Sequence, residues 1–336
     1  MLELATGHFR SQAICTAAAL GIADLLKDGP KSSEELGRTT GAQPQALYRL
    51  LRALASIDVF QQDEKGDFEL TPLATTLLSD SPDSVLKAAL LAHAAFHWNS
   101  WSHLHHAVLT GKSAFEHVHG TELFDYLRTD HAATQVYEAW MTRLSDMQVP
   151  SLLASYEYAK FPTIVDVGGG HGALLAAILK ANPGVRGVLF DLPEVLADAR
   201  IVREAGVESQ CSVMPGNMFE RIPPGGDLYL LKTIIHDWDD DSSVRILKNC
   251  REAMTTESRL LLIESVVPEG NGPHPSKFMD LNMLVLTRGG RERTTAEYHA
   301  LFKAGGFEPT RIIATPSPMS LLEALPQQPG SRTKLG

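Results

Sequence analysis

The string TIVDVGGGHGALLAAILK sets an apolar β-type run, TIVDV, directly before Gly168-Gly169-Gly170-His171-Gly172 and an apolar helix. A strand, a glycine loop and a helix in that order let backbone approach a nucleotide. A side chain at such glycines would block the ligand or forbid the positive φ that the turn can require. Gly168 and Gly170 are therefore candidate contacts. The next apolar run, GVLF, ends at Asp191. A carboxylate there can accept hydrogen bonds from both hydroxyls of a ribose, which points to an adenosine-containing cofactor.

The loop also satisfies the dinucleotide pattern GxGxxA, so a nicotinamide dehydrogenase competes with other readings. Asp166, two residues before the first glycine, separates them. A carboxylate repels a pyrophosphate but suits a cationic group, so it favours a sulfonium cofactor. Downstream, PGNMFERIPPGGDLYLLKTIIHDWDDD places Asn217 and Met218 just after a predicted strand, where the edge and face of an adenine can be held.

The predicted strand DLYLLKTII ends at His236, followed by Asp237, Trp238 and the acids Asp239, Asp240 and Asp241, which suit the start of the helix SSVRILKNCREAM. Open α/β sheets bind ligands at their carboxyl edge, so an imidazole there is a candidate general base near neutral pH. Glu264, near the end of the predicted strand SRLLLIESVV, and Glu292, in the loop RGGRERT, are each candidates to orient that imidazole. For Glu292 a salt bridge to Arg291 or Arg293 is the competing reading. No GxSxG or HExxH string is present, so hydrolase chemistry has little support.

Short apolar β-type runs alternating with helical segments after Phe161 predict an α/β, doubly wound parallel sheet. Ahead of it, His8 to Leu26 reads as a helix divided at Gly21, and SSEELGRTTGAQPQALYRLLRALASIDVF as a helix-turn-helix. FQQDEKGDFEL adds a hairpin wing. A winged helix raises a DNA-binding regulator as an alternative, but its second helix carries only Arg49 and Arg52. Residues from Pro82 to about Tyr158 read as helical, with interspersed aromatics that fill a core or line a flat-ligand pocket. The resulting division is a winged-helix-like domain over 1–95, a helical linker and nucleotide-binding domain over 96–324, and a flexible tail over 325–336.

A net charge of -10 argues against nucleic acid or anionic membrane as the main partner. Cys15, Cys211 and Cys250 show no metal-ligand or disulfide spacing, so no metal is expected. With no leader-like N-terminus and no apolar run of about 18 residues, the expected location is the cytoplasm.

Taken together, DVGGGHG, LFDLPEV, GNMFERIPPGGDLYLLKTIIHDWDDD, LIESVVPEG and MDLNMLVLTRGGRERT make the chain, from about Thr6 to Ile313, resemble the small-molecule O-methyltransferases of plant caffeic acid and bacterial antibiotic or phenazine biosynthesis type. The resemblance implies a Rossmann-like S-adenosylmethionine-dependent domain, a winged-helix-like region used for homodimerisation rather than DNA, and a small aromatic acceptor. By position it implies that Gly168 and Gly170 form the cofactor loop, Asp191 the ribose acid, Met218 the adenine contact, Lys232 a cofactor-pocket residue and His236 the base flanked by Glu264 and Glu292. Met141, Asp237, Asp280 and Met283 resemble positions of the acceptor pocket. Asn217 departs from the family, which commonly has Asp there; its carbonyl can still accept from an adenine amino group. The implied reaction is displacement at the sulfonium methyl, with His236 taking the acceptor proton and S-adenosylhomocysteine released. A phenol, with a pKa of about 10, is far easier to ionise than an alkanol, which favours an aromatic hydroxyl; nitrogen acceptors and a catalytically dead scaffold remain open alternatives.

Overall fold

The computed structural model describes residues 1–197 and 200–327. They form two compact units: Met1–Ser102 with Phe124–Arg143, and His103–Leu123 with the chain from Leu144 onward.

In the first unit the helices Gly7–Ala19 and Ile22–Leu25 break at Gly21, whose φ of 66° is left-handed. Ser33–Thr40 starts with a capping box: Ser32 Oγ accepts from Glu35 N at 3.2 Å, and the Glu35 carboxylate accepts from Ser32 N at 2.9 Å. The second helix, Pro44–Ala55, has Pro at its first position, where no amide hydrogen is needed. Strands β1 (Phe60–Gln62) and β2 (Phe68–Leu70) pair antiparallel, and Asp63 Oδ1 between them accepts from the amides of Lys65 and Asp67. The winged helix read from sequence is thus formed. Leu36, Leu47, Leu51, Phe60 and Phe68 are its buried centre. The stretch 124–143, read from sequence as part of the C-terminal domain, groups with this unit. Arg143 donates to the carbonyls of Ser84 and Pro82, and the rings of Phe96 and Tyr126 meet at 6.1 Å.

The second unit is built on a sheet of β3 (Thr163–Val167), β4 (Arg186–Asp191), β5 (Cys211–Pro215), β6 (Leu228–Lys232), β7 (Arg259–Val267), β8 (Arg293–Thr294), β9 (Phe307–Ala314) and β10 (Met319–Pro326). Its order is β5-β4-β3-β6-β7-β10-β9, with β8 beside β7. The strands from β5 to β7 are mutually parallel. Alternate residues face opposite cores: Ile164, Leu228, Leu230 and Leu261 meet the helix Ala173–Ala181, while Val165, Tyr229, Leu231 and Leu260 meet Asp240–Ala253 and Thr295–Ala304. Helices on both faces explain why these strands read as continuous apolar runs.

The sheet is mixed rather than wholly parallel: β10 runs antiparallel between β7 and β9. Sequence reading passed over this hairpin because β9 carries Pro309 and alternating polar residues. The pairing of β10 extends to Leu325 and Pro326, so the domain continues past residue 324; from 328 on, the expected tail lies outside the described residues.

Chain order places β3 next to both β4 and β6, so successive connections leave β3 in opposite directions. At such a switch point the carboxyl ends of neighbouring strands diverge and leave a crevice. The loops after β3 and after β6 both open there, which brings the glycine run and the His236 segment to one edge.

Candidate active site

Gly168, Gly170 and Gly172 all have positive φ, at 68°, 57° and 85°. At Gly168 a Cβ would also stand 2.5 Å from Ile234 Cδ1, whereas Gly170 faces open space. An unfilled position over a left-handed glycine suits close approach of a ligand to backbone. Asp191, at the end of β4, receives Gly170 N–H on Oδ2 at 2.8 Å and Leu192 N–H on Oδ1 at 2.7 Å. The carboxylate therefore shapes the loop and keeps lone pairs for hydroxyl donors. Burial raises its pKa against those two amides.

Asp166 lies beneath the loop, 3% exposed, and burial pushes its pKa up to about 7, with Lys232 opposing and Asp191 adding to the rise. Lys232, at the end of β6, donates to Gln148 Oε1 at 3.4 Å; burial lowers its pKa while Asp166 and Glu264 raise it. Buried acids beside an open glycine loop fit a cation better than a pyrophosphate. Met218 also lies beside Gly168, its sulfur 4.0 Å from where a Cβ there would lie. Asn217 Oδ1 accepts from Phe219 N at 2.9 Å. The oxygen expected to meet an adenine amino group thus already caps the local turn, and one lone pair is left for a further donor.

After β6 the chain turns sharply. Thr233 has a φ of 53°, uncommon for a β-branched residue, and Ile235–Asp237 form a single 3₁₀ turn. That turn presents His236. Its Nδ1 lies 3.0 Å from Glu292 Oε1 and 4.0 Å from Glu264 Oε2, and its Nε2 lies 3.5 Å from Asp237 Oδ1. An ionised carboxylate only accepts, so Nδ1 donates to Glu292, and the opposite nitrogen is the one free to exchange a proton. The imidazole side chain is 13% exposed, against 0% for Glu264 and 1% for Glu292.

The two glutamates thus divide the work that sequence left open. Glu292 holds the ring directly, while Glu264 Oε1 accepts from the amides of Ile234 and Ile235 and holds the turn. Neither arginine beside Glu292 takes it as a partner: Arg291 pairs with Asp240 and Glu297, and Arg293 with Asp240. Burial pulls the His236 pKa down, but Asp237, Glu264 and Glu292 reverse this and raise it to about 10. Burial pushes Glu264 up to about 7 and Asp237 up to about 6, with His236 opposing both. His236, Glu264 and Glu292 present ligand-type atoms within 4.8 Å of one another.

Asp280 joins this edge from the helix Pro275–Leu286, accepting Glu292 N–H at 3.0 Å, and Met283 is buried on the same helix. Met141 lies on the long helix His131–Ser155 within the first unit. Sequence reasoning assigned no role to Gly290. A Cβ there would stand 2.6 Å from the His236 carbonyl oxygen and would meet Thr287 Oγ1. Gly290→Ala is therefore expected to cut turnover more than it cuts stability, by about 10-fold or more, because it displaces the His236 turn. Wild-type turnover in a folded variant would refute this.

A glycine loop after β3, an acid closing β4 and a titratable cluster after β6, all at one switch point, define a Rossmann-like enzyme with a nucleotide-type cofactor site. An O-methyltransferase domain matches residues 101–308, and an O-methyltransferase dimerisation domain matches residues 2–80. A phenazine O-methyltransferase of Lysobacter antibioticus is 42% identical over 97% of this chain and 95% of its own. The crystal structure of LaPhzM superposes with a TM-score of 0.91 at 42% identity, covering 97% of this chain and 98% of that one. CalO1, a methyltransferase of calicheamicin biosynthesis crystallised in its S-adenosylhomocysteine-bound form, gives 0.84 at 37% identity over 97% and 96%. The chain belongs to the O-methyltransferase family and is an S-adenosylmethionine-dependent O-methyltransferase.

Proposed function

We propose that this enzyme methylates a phenolic hydroxyl of a small aromatic natural product, with His236 as general base. The observation that carries this is the imidazole held through Nδ1 by Glu292 at 3.0 Å, with its other nitrogen 3.5 Å from Asp237 Oδ1. Glu292 orients the ring and Glu264 fixes the turn, so Nε2, in the unprotonated ring, is placed to take the acceptor proton. When bound, S-adenosylmethionine supplies a sulfonium methyl electrophile. Gly168, Gly170, Asp191, Asn217, Met218 and Lys232 would hold it, with Asp166 beneath the loop. Asp237, Asp280 and Met283 are assigned to the acceptor side. The relative named for phenazine methylation supports a flat aromatic acceptor.

The winged-helix-like domain is assigned to homodimerisation, and the enzyme to the cytoplasm. Leu2, Leu4 and Phe9 are 79%, 81% and 65% exposed, an apolar surface suited to a second copy. Among the described residues no helix is long and apolar enough to cross a membrane.

Two experiments test this reading. In thermal unfolding, S-adenosylhomocysteine at about 100-fold over its dissociation constant is expected to stabilise by roughly 2.7 kcal/mol while NADH does nothing. A screen of hydroxyphenazines, naphthols, arylamines and alkanols is then expected to yield methyl ethers of the phenols. Methylation of arylamines alone would overturn the acceptor assignment.

A further inference from the structure

Arg293 has the largest fully buried side chain among the described residues, and its hydrogen bonds go to the chain around His236 rather than to the imidazole itself. Its guanidinium donates to the Ile235 carbonyl at 2.9 Å, the Trp238 carbonyl at 2.8 Å and Asp240 Oδ1 at 2.8 and 3.1 Å. Weaker contacts reach the Arg291 carbonyl and Ser243 Oγ, both at 3.5 Å. The two carbonyls at 2.8–2.9 Å bracket His236 and Asp237 in sequence.

Burying a guanidinium is costly unless its donors are met, and here every nitrogen has an acceptor. A single 3₁₀ turn has few internal bonds with which to hold a side chain in place. This one follows a non-glycine residue at positive φ, a conformation that persists only when its surroundings impose it. Three devices impose it: Glu264 accepts the amides that enter the turn, Arg291 N donates to the His236 carbonyl at 2.8 Å, and Arg293 fastens both ends. Glu292 lies between those two arginines in the chain, so the segment that grips the turn also delivers the carboxylate that meets Nδ1.

We infer that Arg293 is a positioning residue of the methyl transfer, setting the His236–Glu292 geometry by tying the turn after β6 to the segment entering β8. The inference rests on His236 as the base. Arg293 contributes through the imidazole and has no part in holding the methyl donor.

The test uses the full chain, with S-adenosylmethionine as donor and a hydroxyphenazine as acceptor for turnover, and with S-adenosylhomocysteine bound for NMR. Arg293→Lys keeps the charge and part of the bonding; Asp240→Asn, at a half-exposed partner, loosens the same guanidinium if the first variant fails to fold. Either variant is expected to lower kcat about 10-fold or more while KM for S-adenosylmethionine stays within about twofold. In a His236→Ala background the same substitution is expected to cost less than about twofold, because the group it positions is gone. The low-field NMR proton of the His236 Nδ1–H bond to Glu292 is expected to weaken or shift. A purely structural arginine would lower the melting temperature and leave that proton and the coupling unchanged, which overturns the inference. If His236→Ala itself costs nothing, the base assignment falls, and the NMR proton alone then decides whether Arg293 positions the imidazole.

Discussion

Replacement of His236 by alanine is expected to lower methyl transfer by about 10²-fold or more, the usual scale for a lost general base, while S-adenosylhomocysteine binding stays nearly intact. The two effects separate because His236 stands after β6 and meets Glu292 and Asp237, whereas the glycine loop and Asp191 form after β3 and β4. The sign of the pH dependence follows from the same contacts. Burial lowers the imidazole pKa, but Asp237, Glu264 and Glu292 outweigh it and hold the proton until about pH 10. Only the unprotonated ring can take the acceptor proton, so kcat/KM of the wild type is expected to rise with pH above neutrality. In His236→Ala that rise should follow only the acceptor's own ionisation. An acceptor already ionised at neutral pH should lose much less on the substitution. Unchanged turnover of an ordinary phenol, measured by product formation, would show that the acceptor ionises unaided.

Asp191→Ala is expected to weaken S-adenosylhomocysteine binding by about 10²-fold or more. Hydrogen bonds to a charged group contribute about 1.5–3 kcal/mol each, and this carboxylate serves both the loop and the ligand. Its oxygens hold the amides of Gly170 and Leu192, and without it the loop loses its shape as well as its hydroxyl acceptors. Asp191→Asn keeps one acceptor oxygen and should recover part of the loss. Calorimetric titration reads the effect directly. Binding within about threefold of wild type in the alanine variant would remove Asp191 from the cofactor site.

Much of this was legible because local patterns carried it. The winged helix follows from Ser32 and Glu35 as a capping box, from Pro44 at a helix start and from the polar turn between β1 and β2. The parallel strands follow from apolar runs that only a sheet covered on both faces makes necessary. The hairpin β9–β10 was not legible. Pro309 and exposed alternating positions depress its strand signal, and its pairing with β7 is a contact between segments far apart in the chain. The grouping of 124–143 with the first unit is of the same kind, since a helical pattern does not say what it packs against.

At the site, residue types and spacing by themselves determined which groups are present: glycines after an apolar strand, an acid at the end of the next, and a histidine with acids at a sheet edge. Only the tertiary structure decided how they pair. Glu264 and Glu292 were equivalent candidates in the sequence, and folding made one a clamp on the turn and the other the partner of Nδ1. Arg293, one of two alternative counter-ions for Glu292 in the sequence, is instead a buried brace on the segment that carries His236. The reason is physical: strand and loop chemistry is set by near neighbours in the chain. Hydrogen-bond partners and burial are set by which strand ends the sheet order brings together, and that order is a property of the whole fold.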